Sequence, residues 1–214
     1  MANNNNLDNL NTNTQEEKVV VSLKCLLLGA SGSGKSKALL RYAKSTSIDQ
    51  SIGTSTGEIF KIKGVEYFDA KYRLCLHIWD KQRGILERFG TVPVNYYKNA
   101  SAIFIFFDVT DRASFNFIKE ELKGIPHTKE FVYELFIVGN KIDLENKRVI
   151  SREEAIQFAQ DNAAQYYEIS AKENINVHQM FDQVGKSLFY KKINDPNFTI
   201  PKEPVPCRHL CTIQ

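Results

Sequence analysis

The chain has 214 residues, with 28 Lys and Arg against 25 Asp and Glu, a net charge of +3 and 43% hydrophobic residues. That length and composition suit one globular domain with a sizeable core and exclude disorder along most of the chain. The small charge gives no electrostatic case for nucleic-acid binding. No apolar run approaches the ~18 residues of a membrane span and the N-terminus lacks a secretory apolar core, so a cytosolic or cytosol-facing protein is expected.

Residues 1–17 are polar, Asn-rich and aperiodic, too poor in apolar surface to offset the entropy of ordering, and are expected to be a disordered tail. Val19 to Leu28 is a β-rich run ending at Gly29, and a helical pattern follows from Lys35 to about residue 44. Strands are predicted around Ile59 to Phe68 and Arg73 to Trp79, close enough to form an antiparallel hairpin. Cys25 and Cys75 lie in apolar runs and are expected as buried, reduced thiols. Ala102 to Phe107 (AIFIFF) is a continuous apolar run of the kind buried on both faces of a parallel sheet, and Phe131 to Val138 is another. Tyr166 to Ile169 is a short last strand. Helical patterns fall near 86–98, 112–123, 152–163 and 176–190, with Ser151 and Glu154 spaced as a capping box. This alternation specifies an α/β fold, a mostly parallel sheet with helices on both faces. From Lys191 onward the prolines accumulate and an extended linker is expected.

Gly29-Ala30-Ser31-Gly32-Ser33-Gly34-Lys35-Ser36 matches the phosphate-loop pattern GxxxxGK[ST]. Glycines let the backbone wrap so that several N–H groups face phosphate oxygens, and the following helix adds its N-terminal dipole. Lys35 is expected to reach the β- and γ-phosphates, and the Ser36 hydroxyl to ligate Mg²⁺. Asn140-Lys141-Ile142-Asp143 follows an apolar strand, where open α/β sheets bind ligands. A fixed Asp143 carboxylate can accept two hydrogen bonds from guanine N1–H and the N2 amine. Adenine has no such donor pair and would leave the acceptors unpaired. Asn140 can bond the other purine edge and the Lys141 stem can lie along the ring. Ser170-Ala171-Lys172 would add a backbone N–H for the guanine carbonyl.

In these motifs the sequence resembles a Ras-superfamily small GTPase of the Rab branch. The resemblance is carried by GASGSGKS, Trp79-Asp80, Glu87 to Phe89, the stretch Tyr96 to Phe115, VGNKIDL at 138–144 and YYEISAKENINV at 166–177. It covers about residues 19 to 190 and implies a P-loop small-GTPase fold, a six-stranded sheet with five helices. It also implies GTP/GDP and Mg²⁺ as ligands, effector and exchange-factor proteins as partners through the switch regions, and a role in membrane traffic. Under it, residues 18–190 form the guanine-nucleotide-binding domain and Asp80 looks like the carboxylate that holds a Mg²⁺-bound water. Both switches depart from the family pattern. Where the family has DTAGQERF, the chain reads Asp80-Lys81-Gln82-Arg83-Gly84-Ile85-Leu86-Glu87-Arg88-Phe89. Counting from Asp80, Arg83 takes the place of a glycine; counting back from Phe89, Leu86 takes the place of the water-orienting Gln. Leucine cannot align an attacking water, so weak or absent hydrolysis is expected, with Gln82 the one out-of-register substitute. In switch I a gap-free count from Ser36 places the family's Mg²⁺-completing hydroxyl at Thr54, a count back from Phe60 at Ser55, and local similarity at Ser51.

Cys211-Thr212-Ile213-Gln214 fits CaaX, with the terminal Gln favouring farnesyl. A single chain binds membranes only marginally, so Cys207 is a candidate for palmitoylation as the second signal. Residues 191–214 are thus expected to tether the domain to the cytoplasmic face of a membrane. The competing expectation is a constitutive membrane adaptor whose nucleotide only stabilises the fold.

Overall fold

The structure, a computed structural model, describes residues 19–44, 50–53, 59–66, 72–80 and 94–199. Seven strands form one sheet: β1 (Val19–Gly29), β2 (Gln50–Gly53), β3 (Ile59–Glu66), β4 (Tyr72–Asp80), β5 (Ala100–Asp108), β6 (Glu134–Asn140) and β7 (Gln165–Ile169), in the order β2-β3-β4-β1-β5-β6-β7. From β4 to β7 all pairings are parallel, while β2–β3 and β3–β4 are antiparallel. The expected hairpin is therefore present. Among the described residues the sheet has seven strands, where six were expected. The addition is β2, a four-residue strand of sequence QSIG with no apolar alternation to reveal it, specified by its pairing with β3.

The helices are α1 (Lys35–Lys44), α2 (Val94–Tyr97), α3 (Arg112–Lys123), α4 (Arg152–Asp161) and α5 (Val177–Ile193), with a 3₁₀ turn at Ile142–Lys147. Of the helix predicted near 86–98, residues 86–93 lie outside the described residues. Helix α5 continues through Lys191 and Lys192 to Ile193, and both Ile193 and Phe198 pack on the core beyond residue 190, where the tether was expected to begin.

Strand alternation divides the core into two layers. Val21, Leu23, Cys25 and Leu27 of β1 face one side with Ala38, Tyr42, Phe181 and Phe189, while Leu26 and Leu28 face the other with Phe115, Ile118 and Ala155. The AIFIFF run is buried on both faces as expected: Phe104 stacks on Phe136 at 5.0 Å, and Phe107 meets Phe115 edge-on at 4.9 Å on the opposite side. Each such phenylalanine contributes about 2–3 kcal/mol of burial free energy. The strand predicted from Phe131 starts instead at Glu134. Phe131 N–H closes a turn onto the Thr128 carbonyl, and the Tyr133 hydroxyl donates to the Pro126 carbonyl. Cys25 is a buried free thiol, pushed up to about 12 by desolvation. Cys75 is equally buried but disulfide-bonded, which corrects the expectation of a reduced thiol there.

Helix starts follow their caps. Asp111 accepts from Ala113 N–H at 2.9 Å, and Ser151 accepts from Glu154 N–H at 3.1 Å, each cap worth about 1 kcal/mol. The second half of the expected capping box is replaced. The Glu154 carboxylate pairs with Arg112, whose Nη2 also donates to the Val149 carbonyl, so the side chain joins α4 to α3. Among the described residues no helix is long and apolar enough to cross a membrane.

Candidate functional site

Register brings the site loops together. Gly29 pairs with Phe106, Asp108 with Asn140, and Asn140 with Ile169, so the loops after β1, β5, β6 and β7 leave from one end of the sheet. Strand order turns around β1, and ligands of open α/β sheets bind outside the carboxyl ends of the strands at such a turn.

The loop after β1 is bent by two glycines that only glycine can supply. Gly29 has φ +117°, and a Cβ there would lie 2.1 Å from the Phe106 carbonyl oxygen; Gly34 has φ +92°, and its Cβ would lie 2.2 Å from Asn140 Nδ2. Within the bend, the Ser33 hydroxyl donates to the Ala30 carbonyl at 2.7 Å. Lys35 Nζ donates to the Gly29 and Ala30 carbonyls, both at 2.7 Å, which holds the ammonium inside the loop. Helix α1 then starts with no acidic residue of its own in its first turn, which leaves the positive end of its dipole available to an anion. Ser31, Gly32 and Ser36 are exposed at the mouth of this cradle.

Asp80 ends β4 beside the cradle, paired in register with Leu27. It is 2% exposed, and its Oδ1 is buried without a hydrogen-bond partner. Burial raises its pKa above the usual carboxylate range, opposed by a hydrogen bond with Ser36 and by the charge of Lys35. A dry carboxylate oxygen with an adjacent hydroxyl is the oxygen-donor chemistry of a hard divalent cation, so Ser36 and Asp80 fit Mg²⁺. Thr54 and Ser55 lie outside the described residues, as do Gln82, Arg83 and Leu86; Ser51 falls on β2.

The loops after β6 and β7 are locked to the cradle by Asn140, which is 1% exposed. Its Nδ2 donates to the Ser33 carbonyl at 2.6 Å, and its Oδ1 accepts from Lys141 N–H at 2.8 Å and Ala171 N–H at 3.0 Å. The amide thus works as a brace between three loops, with the Ala171 N–H as one of its donors. Lys141 adopts φ +71°, and its Nζ forms an ion pair with Asp108 Oδ2 at 2.6 Å. Asp108 Oδ1 is held by the Thr110 N–H and hydroxyl at 2.8 and 2.7 Å. These hydrogen bonds outweigh burial and keep the Asp108 carboxyl below its ordinary range, although burial is the largest single influence and acts upward. Ser170 Oγ donates to Asp143 Oδ1 at 2.6 Å, which fixes the carboxylate and leaves Oδ2 and the remaining lone pairs for other donors. Lys172 is exposed and pairs with Glu173.

Thus Gly29 to Ser36, Asp80, Asn140, Lys141, Asp143 and Ser170 to Lys172 come together at one end of the sheet. Two contributors were not legible as site residues. Asp108 ends the AIFIFF strand, and its level with Asn140 becomes visible only in the β5–β6 register. Arg41, on α1, donates to the Ala171 and Lys172 carbonyls across 130 and 131 residues of chain, with no local motif to announce it. Cys207 and Cys211 lie outside the described residues.

A parallel α/β sheet with a glycine-bent phosphate cradle and a braced carboxylate loop defines the class: a P-loop nucleotide-binding domain. The chain matches the Ras family over residues 24–190. It is 37% identical over 176 residues to the GTP-binding protein ypt2 of Schizosaccharomyces pombe, covering 82% of this chain and 85% of that protein. It is 35% identical over 168 residues to Ras-related protein Rab-13 of Rattus norvegicus (78% and 80% covered), and 40% identical over 168 residues to Ras-related protein RABE1e of Arabidopsis thaliana (78% and 74% covered). The chain belongs to the Ras family of small GTPases, with Rab and Ypt proteins among its relatives. Ras-family GTPases bind guanine nucleotide and Mg²⁺.

Proposed function

We propose that the protein is a Rab-type, lipid-anchored regulator of membrane traffic that binds GTP and GDP through residues 29–36, 140–143 and 170–172, and hydrolyses GTP slowly. The observation that carries the nucleotide assignment is Asn140, which braces a phosphate cradle against a loop presenting a fixed carboxylate. Similarity to Rab and Ypt proteins supports the traffic role. In this reading the cradle N–H groups and the α1 dipole bind the phosphates, with Lys35 exchanging its loop carbonyls for phosphate oxygens. Asp143 selects guanine through paired acceptors, and the Lys141 stem, oriented by Asp108, lies along the ring. Mg²⁺, held through Ser36 and Asp80 with a switch I hydroxyl at Thr54, Ser55 or Ser51, would offset phosphate charge.

Slow hydrolysis is supported by Arg83 and Leu86 at positions where the family uses a glycine and a water-orienting Gln. Single-turnover hydrolysis with nucleotide content measured on the purified chain tests both halves. Bound guanine nucleotide with a rate well below that of an ordinary small GTPase is expected, and an ordinary rate refutes the hydrolysis half. The anchor is proposed at Cys211, aided by Cys207, in a tail following the domain. Cys211→Ser should release the protein from membranes, and mass spectrometry of the tail peptide checks for farnesyl on Cys211. The same switch II residues also favour a second reading, a constitutive adaptor with structural nucleotide. Identical hydrogen exchange of residues 51–60 and 80–90 with GDP and a non-hydrolysable GTP analogue would select it.

A further inference from the structure

Arg41 projects sideways from the phosphate helix. Its Nε donates to the Ala171 carbonyl at 3.2 Å and its Nη2 to the Lys172 carbonyl at 2.7 Å. No peptide among the described residues is cis. In a trans peptide a carbonyl drawn one way sends the N–H of the same peptide the opposite way. The N–H opposite the Lys172 carbonyl belongs to Glu173, and it donates to Ser170 Oγ at 3.0 Å. Ser170 Oγ donates in turn to Asp143 Oδ1 at 2.6 Å. Guanidinium, peptide, hydroxyl and carboxylate therefore form one directional chain from α1 to Asp143, and hydrogen bonds in series polarise one another.

We infer that Arg41 is a positioning residue for base recognition: through the Lys172–Glu173 peptide and Ser170 it fixes the carboxylate of Asp143, tying the helix that opens the phosphate cradle to the group that reads the base. This inference rests on the reading of Asp143 as the guanine acceptor. The cation supplies two effects. It holds the 172–173 peptide in the orientation Ser170 needs, and it strengthens that N–H as a donor, so the hydroxyl proton stays directed at Asp143. Without Arg41 the Ser170 hydroxyl can rotate and the carboxylate loses its fixed plane.

The experiment compares affinities of the full chain for GDP and for inosine diphosphate, which lacks the 2-amine and offers Asp143 a single donor. The native chain should prefer GDP, and Asp143→Asn should abolish that preference. Arg41→Ala should reduce the GDP-to-inosine-diphosphate ratio by about threefold to tenfold, the net worth of one ordinary hydrogen bond. Arg41→Lys, which keeps a donor for one carbonyl, should recover part of the ratio. If Arg41→Ala weakens both nucleotides equally, or lowers the melting temperature with the ratio unchanged, Arg41 is a structural clamp and the inference is overturned while the Asp143 reading stands. If Asp143→Asn leaves the ratio at its native value, the site reading itself fails. Should Arg41→Ala not accumulate as folded protein, Arg41→Lys decides alone: a ratio equal to the native one overturns the inference and a reduced ratio supports it.

Discussion

His77 gives this fold a calculable sensitivity to acid. It lies on β4, level with Lys24 of β1, is 3% exposed, and its Nε2 has no hydrogen-bond partner. Burial lowers its pKa from 6.5 to about 4. The unfolded chain therefore binds a proton between those values that the folded chain refuses. Stability is full above pH 6.5, falls as the pH drops towards 4, and falls no further below that. The complete gap corresponds to about 3 kcal/mol, of which about 2 kcal/mol has gone by pH 5. For a domain of this size that is about 4–8 °C in melting temperature. The assay is thermal unfolding of the native chain and of His77→Gln from pH 7.5 to 5, with guanine nucleotide and Mg²⁺ in the same excess for both proteins so that ligand stabilisation cancels in the comparison. Groups common to both proteins cancel, leaving a difference in pH slope. His77→Gln should lose less stability towards pH 5 by about 2 kcal/mol. Parallel profiles would refute the account, since they would mean the imidazole is protonated equally in both states.

Gly34→Ala should abolish tight nucleotide binding, because its Cβ would stand 2.2 Å from Asn140 Nδ2 at a φ of +92°; equilibrium dialysis against GDP checks this, and native affinity would refute it. Asp80→Asn should be at least as stable as the native chain in chelator, since it removes a buried, unpartnered carboxylate oxygen, yet should need about tenfold more Mg²⁺ to stabilise the nucleotide complex. An unchanged Mg²⁺ titration would exclude Asp80 from the metal site. Asp108→Asn should weaken guanine nucleotide binding by about fivefold through loss of the Lys141 ion pair, read by nucleotide dissociation kinetics. Phe104→Ala should cost about 3–5 kcal/mol in denaturant unfolding, given its place between Phe136 and Phe181.

What could be read from the sequence followed local chemistry. The phosphate loop announces itself because its glycines, lysine and serine are contiguous, and the AIFIFF run because burial on both faces leaves no room for polar residues. What could not be read depends on partners distant in sequence. QSIG becomes a strand only against β3. Glu154 has the spacing of a capping box, yet its carboxylate is taken by Arg112 from another helix. The Ala171 N–H donates to Asn140 across 31 residues, a contact that tertiary register makes and no local pattern announces. Asp108 and Arg41 lie in segments whose local pattern is fully explained by strand and helix, so their polar ends carry no signal until the sheet is assembled.

The Asn140 brace also orders the birth of the molecule. The bond from Asn140 to the Ser33 carbonyl spans 107 residues, and the bond from Ala171 a further 31. Such contacts close late, after the loop entropy of the intervening chain has been overcome. On the ribosome the phosphate loop emerges first, but it lacks its brace until β6 has been made and seated. On the proposed reading, selectivity for guanine is therefore acquired only after the chain has gained the means to hold phosphate, because the Ala171 contact to Asn140 forms later than the phosphate loop is made.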